Sequence, residues 1–348
     1  MNNKTNSELP YVIMSFVGVI FLISVIITFF FVAGRDTRDS EIGESNGITT
    51  KADIQVDVTP KSYIPITYND VIVIPDYEMN AKNAILVDLN TNTAIAQRYA
   101  DEQIYPASLT KIMTLLVAVE AIENDESKSI NDTFLMSSDI IDTLIKQNAS
   151  RAGFIANENV PIIDLLYGAI LPSGADATVA ISRYIAGSED NFAVLMNQKA
   201  EELGLVNTHF TNSSGLYNEN HYTTVRDLAT IMACALDNPL CKTILSTTIY
   251  TPSAKVESTD GNLYSLWHGK LKGNEPTGVT VIAAKTGYET LAGNCMVSYA
   301  ISADLKSEYI LVTANGKSLE SSTTERPSTL GSYQPIYDLK YLYSKYAK

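Results

Sequence analysis

The longest apolar run in this chain lies near its start. Residues 9–34 carry no charge, and their centre is rich in Ile, Phe and Val. At about 1.5 Å per residue, such a run crosses a bilayer as a single helix. It is longer than the apolar part of a cleavable signal peptide, and the small-residue cleavage pattern is weak. The pattern therefore predicts an uncleaved signal anchor over 11–33, with a short cytoplasmic tail over 1–10. Flanking charge leaves the orientation open, with Lys4 on one side and Arg35 and Arg38 on the other. Residues 34–77 read as a stalk. The first part is charged and rich in Ser, Thr and Gly; the second alternates β-branched stretches with Pro60, Pro65 and Pro75, as extended chain leaning on a domain does.

Regular periodicity begins near Glu78, which marks the expected start of one folded domain over 78–348. Residues 84–89 read as a strand, Asn90-Thr91-Asn92 as a turn, and a second strand follows to Arg98. Helical spacing then takes over. Ile112, Leu115, Leu116 and Val119 mark a helix over 110–122; 162–171, 175–185, 191–203 and 224–236 follow, with Gly204 as a stop signal. Strands return over 279–284, 295–302 and 309–314. A last amphipathic helix over 335–346 carries Ile336, Leu339 and Leu342 on one face. Strands at both ends with helices between predict an α+β fold. One antiparallel sheet is formed by both chain ends, a helical lobe is inserted, and one transmembrane helix precedes them.

Composition narrows the chemistry. The net charge of −14 offers no basic patch for phosphates, so nucleic acid is not an expected partner. With 3 Cys, 3 His and no CxxC or HExxH spacing, neither a metal nor a cofactor is expected.

Two short motifs supply a positive reading. Ser108-Leu109-Thr110-Lys111 opens the first helical run, which puts Ser108 and Lys111 on one helix face. A hydroxyl attacks an amide only with a base in reach, and a lysine serves once burial or a second cation lowers its pKa from about 10.4. The helix start also offers the Ser108 N–H to a developing oxyanion. Far downstream, Lys285-Thr286-Gly287 is expected just before a strand, where Lys285 and Thr286 can hold a carboxylate and Gly287 lets a substrate backbone lie close. Between them, Ser173 in Leu171-Pro172-Ser173-Gly174-Ala175-Asp176 falls on a short loop, where its hydroxyl could shuttle a proton. Each motif alone is common; their order and spacing give them weight.

With these residues in place, the chain resembles the serine-type D-Ala-D-Ala carboxypeptidases, the low-molecular-weight penicillin-binding proteins. The resemblance extends to residues 106–114, 164–168, 196–200, 208–216, 221–229 and Ala292-Gly293-Asn294-Cys295, and so to nearly the whole folded part. It implies a β-lactamase/DD-peptidase-like fold, with Ser108 as acylated nucleophile, Lys111 as general base and Ser173 as proton relay. Lys285, Thr286, Gly287 and Tyr288 would bind substrate, with the Ser108 and Tyr288 N–H groups as oxyanion hole. The implied partners are peptidoglycan stem peptides ending in D-Ala-D-Ala, and β-lactams as inhibitors. The implied location is the cell membrane, single-pass, with the catalytic domain outside. One departure stands out. The family's middle motif is usually Ser-x-Asn, and the third position here is Ala175, with Asn212 and Asp176 as candidate substitutes. The chain also ends soon after its last strand, so the N-terminal anchor is expected to take the role of the C-terminal anchor of many relatives.

Two other readings compete. A serine β-lactamase would need a deacylating glutamate, for which Glu189, Glu201 and Glu202 are the candidates. A catalytically weak penicillin- or cell-wall-binding protein of the same fold would draw its support from Ala175. Elsewhere, a Cys234–Cys241 disulfide is conceivable if the helix between them breaks near Leu236, Cys295 reads as a buried strand residue, and Trp267-His268 as a packed surface turn. His209 and His221 read as loop-stabilising side chains.

Overall fold

Ala84-Ile85-Leu86-Val87 is apolar at every position, which suits a strand covered on both faces. The computed structural model describes residues 66–317 and 334–347. The chain divides into two units, Met1–Val58 and Thr59–Lys348, and the described residues belong to the second. The expected cytoplasmic tail, the anchor and the stalk up to residue 65 lie outside them.

The first strands are β1 (Ile72–Val73), β2 (Ala81–Asp88) and β3 (Thr93–Arg98). A tight 3-10 turn, Ala107–Leu109, leads into α1 (Thr110–Glu123). The helical lobe continues with β4 (Thr133–Leu135), α2 (Ser138–Lys146), β5 (Asn159–Pro161), α3 (Ile162–Ile170), α4 (Ala175–Ala186) and α5 (Glu189–Glu202). Next come α6 (Val225–Asp237), α7 (Pro239–Ser246), β6 (Ile249–Tyr250), β7 (Leu263–Tyr264) and α8 (His268–Leu271). The chain then returns to the sheet with β8 (Val279–Glu289), β9 (Gly293–Ser302) and β10 (Glu308–Gly316), and α9 (Gln334–Tyr346) follows.

The six-stranded sheet runs β1-β3-β2-β10-β9-β8. β10 pairs antiparallel with β2, Leu311 opposite Leu86, so the two ends of the described fold meet at its centre as expected. One strand departs from the antiparallel plan: β1 runs parallel to β3. That short pairing, with Ile66 and Ile74 buried, carries the folded part back from Glu78 into the segment read as stalk.

Alternation along each strand serves two cores. Ile85, Val87, Ile310 and Val312 face the helical lobe, while Ala84, Leu86, Tyr309 and Leu311 face α9. Helix α1 lies inside the lobe and is buried on nearly every side, from Thr110 and Lys111 to Val119 and Ile122. Local signals set the ends of its neighbours. Ser188 accepts the Asn191 N–H ahead of α5, and Thr224 accepts that of Asp227 ahead of α6. Asn238 and Pro239 stop α6 and start α7, so the break that a Cys234–Cys241 bridge would need exists. The thiols are nonetheless free, with Cys241 buried. Trp267 is buried in the core under α9, not held at the surface as the turn reading expected.

Candidate active site

Ser108 sits on the 3-10 turn at the mouth of α1, two residues before the helix that was expected to carry it. The pairing with Lys111 survives: Lys111 Nζ donates to Ser108 Oγ at 2.9 Å. The residue before the serine, Ala107, has φ +48°, a left-handed conformation that side chains other than glycine avoid. Two neighbouring segments hold that turn. Gly215, at φ +81°, lies so close that a Cβ there would overlap the Ala107 carbonyl oxygen outright. Gly287 is the second: its Cβ would meet the Ser108 nitrogen at 3.2 Å and the Pro106 oxygen at 3.3 Å. The glycine of Lys285-Thr286-Gly287 therefore makes room for the turn that carries Ser108.

Lys111 is 1% exposed, and its second bond is to a backbone carbonyl, Ser214 O, at 2.6 Å. Burial pushes its pKa down to about 7, although Asp176, Glu189 and Glu289 pull it upward by their charge. The loop that supplies Ser214 is docked on the same helix. Thr114 Oγ1 donates to Ser213 O at 2.7 Å. The Thr211 N–H donates to His221 Nδ1 at 3.1 Å, so Nε2 carries the ring proton and donates to Thr110 Oγ1 at 2.9 Å. His221 is buried and held neutral, its pKa pushed down to about 4 by burial and then by the charges of His209 and Lys111. The loop-stabilising reading of His221 matches this placement.

The Lys-Thr-Gly motif lies within β8, not before it, and β8 is the last strand at one edge of the sheet. Lys285 is buried and donates to Ser173 Oγ at 2.8 Å and to Thr286 O at 2.9 Å. Its pKa lies well below the usual lysine range, first because of burial and then because of Lys111. Ser173, at φ +64°, thus bonds Lys285 and not Lys111. The fold brings Ser108, Lys111, Ser173, Lys285, Thr286 and Gly287 to the junction of sheet and lobe, while the Tyr288 side chain is exposed.

Neither candidate substitute for the missing amide at Ala175 takes its place directly. The Asp176 carboxylate accepts the N–H groups of Ala152 (2.7 Å), Gly153 (3.0 Å) and Phe154 (3.4 Å), and burial pushes its pKa up. Asn212 shapes the loop instead: its Oδ1 accepts the N–H groups of Ser214 and Gly215, and its Nδ2 donates to Leu216 O. The contribution of Ser214 is invisible to sequence reasoning, because a backbone carbonyl carries no residue signature. Among the described residues, no cluster of His, Cys, Asp and Glu could hold a metal ion.

The family model for D-alanyl-D-alanine carboxypeptidase matches residues 70–318. The chain is 37% identical over 153 residues to the D-alanyl-D-alanine carboxypeptidase DacF of Bacillus subtilis, covering 44% of this chain and 38% of that relative. It is 31% identical over 256 residues to DacC of Escherichia coli, covering 73% of this chain and 61% of DacC. The matches thus span less than two thirds of both relatives. Among solved structures, a Streptomyces DD-transpeptidase superposes with a TM-score of 0.64 at 25% identity, covering 78% of this chain and 98% of that one.

Proposed function

The chain belongs to the D-alanyl-D-alanine carboxypeptidase family, and from that premise we propose that it removes the terminal D-alanine from peptidoglycan stem peptides through a Ser108 acyl-enzyme. The observation that carries this reading is the buried Lys111, 2.9 Å from Ser108 Oγ, with a pKa brought down to about 7. A lysine that is neutral near physiological pH can take the serine proton.

In this reading the substrate's terminal carboxylate enters beside Lys285 and Thr286, and its charge returns Lys285 to the protonated form. That cation in turn keeps Lys111 neutral. Lys111 accepts the hydroxyl proton as Ser108 Oγ attacks the penultimate D-alanine carbonyl. The oxyanion rests against the Ser108 and Tyr288 N–H groups. Collapse breaks the amide bond, and the proton taken up by Lys111 passes by way of Ser173 to the departing amine of D-alanine, leaving Lys111 neutral. Water then cleaves the ester, giving the shortened peptide and free Ser108. A β-lactam would enter the same path and stop at the ester.

The apolar run over 11–33 supports a single-pass membrane anchor, with the catalytic unit on the side of the wall it acts on. Among the described residues no single helix is long and apolar enough to cross a membrane.

Ala175 favours a second reading, a protein that binds penicillin and cell wall but turns over slowly. Turnover separates the two. The full-length chain and its Ser108→Ala variant would be given an acyl-D-Ala-D-Ala peptide and, separately, a fluorescent penicillin. Catalytic D-alanine release by the wild type alone supports the carboxypeptidase. Ser108-dependent labelling without release supports the binding protein.

A further inference from the structure

The loop that holds Lys111 in place is itself held from behind. Glu189, half-buried at the first position of α5, accepts both the N–H and the hydroxyl of Ser213, at 3.0 and 2.5 Å. Ser213 adjoins Ser214, whose carbonyl takes the Lys111 ammonium. Beside this loop lies a cavity of about 340 Å³, lined by Asp139, Arg183, Glu189, Asn212, Ser214 and Tyr217 among others. Ser213 and Ser214 are buried, but the cavity leaves the loop incompletely packed there, and hydrogen bonds help fix it. Glu189 was one of the glutamates a β-lactamase reading would need near the serine. Its carboxylate is instead taken up by Ser213.

We propose that Glu189 is a positioning residue for acylation: it pins Ser213 so that the Ser214 carbonyl keeps Lys111 Nζ against Ser108, a restraint that the Ala175 position does not provide. The inference rests on the Ser108 acyl-enzyme reading. Its logic is geometric. Ala175 has no side-chain oxygen, so the Ser214 carbonyl is the acceptor beside Ser108 that orients the Lys111 ammonium, and its place depends on the loop. Glu189 also contributes charge. The groups acting on Lys111 are Asp176 from α4, Glu189 from α5, and Glu289 and Lys285 from β8, with neutral His221 bonded to Thr110 beside it. Arg183 and Asp139 line the cavity on Glu189's side and pair with each other at 2.8 Å.

The test measures the rate of penicillin acylation from pH 5 to 9 for the full-length wild type, Ser108→Ala, Glu189→Ala and Glu189→Gln, with thermal stability measured in parallel. Glu189→Ala is expected to slow the acylation step about 10- to 100-fold, with initial binding little changed. Glu189→Gln keeps an oxygen for Ser213 and is expected to recover most of the rate. Because it removes a negative charge near Lys111, its acid limb should move to lower pH. Wild-type rates and an unmoved acid limb in both variants would overturn the proposal. So would a loss in Glu189→Ala that its lower folded fraction fully explains, with the acid limb of Glu189→Gln unmoved. A wild type that shows no Ser108-dependent acylation would overturn the underlying reading, and this proposal with it.

Discussion

At the scale of single residues, the account turns on protons. Lys111 must be neutral to act as base, and burial brings its pKa down to about 7. Acylation should therefore be slow at pH 5, rise through about pH 7 and level off above it, as stopped-time penicillin labelling would show. Lys111→Arg keeps the charge at every accessible pH and should lower the rate on the order of 10³-fold, with no recovery at pH 9. His221 gives a second pH effect with its own sign. Its pKa is lower folded than unfolded, so it stabilises the neutral fold fully above about pH 6.5, and stability is lost as pH falls from there towards about 4. The loss should be on the order of 3 kcal/mol, and Tm measured from pH 7 to 4 should fall less steeply in His221→Gln. The grouping of Ser108, Lys111, Ser173 and Lys285 was legible in the sequence because these side chains stand in motifs at recognisable spacings. Ser214 was not, since it acts through its backbone, and the roles of Glu189 and Asn212 become visible only when their partners do.

At the scale of elements, the nucleophile turn is wedged between β8 and the 212–216 loop, and two glycines allow the approach. Substitution should sort by what a Cβ would meet. Gly215→Ala should be the most damaging, at least about 2 kcal/mol in stability with acylation largely lost, because it drives the Ala107 carbonyl away. Gly287→Ala meets contacts of 3.2 to 3.3 Å and should cost less stability while still slowing acylation. Gly273→Ala also sits at positive φ but faces open space, so backbone strain of about 1 kcal/mol is its whole expected cost. Denaturant melts and labelling rates of the three would check the order. The long helices and strands were readable from periodicity. β8 was read as ending at Ala284 because Lys285 and Thr286 break its apolar run. They are buried all the same, Lys285 against the loop that carries Ser173, a context that lies more than a hundred residues away. Helices α2 and α7, nine and eight residues long, are too short for their spacing to stand out.

At the scale of the described fold, the sheet separates two cores, and only one of them lies beside Ser108 and Lys111. Helix α9 closes the other, tied to the start of β2 by Asp338, whose carboxylate accepts the Asn80 and Ala81 N–H groups at 2.8 and 2.9 Å. Asp338→Ala should leave these donors unpaired and cost about 1–3 kcal/mol, seen as a lower Tm, with acylation per folded molecule unchanged. The α+β plan was legible because strands at both ends of the pattern must find each other. The inclusion of residues 66–77 in the fold was not, since β1 is two residues long, Ile66 stands between Pro65 and Thr67, and the short run Val71-Ile72-Val73-Ile74 stops at Pro75. What unites the scales is a single claim, that this fold exists to present Ser108 to an acyl group with Lys111 beside it. A peptide map of the penicillin-treated full-length chain tests it most directly. The adduct should fall on the peptide containing Ser108 and be absent from Ser108→Ala; an adduct on any other residue, or one that survives in Ser108→Ala, would contradict the account.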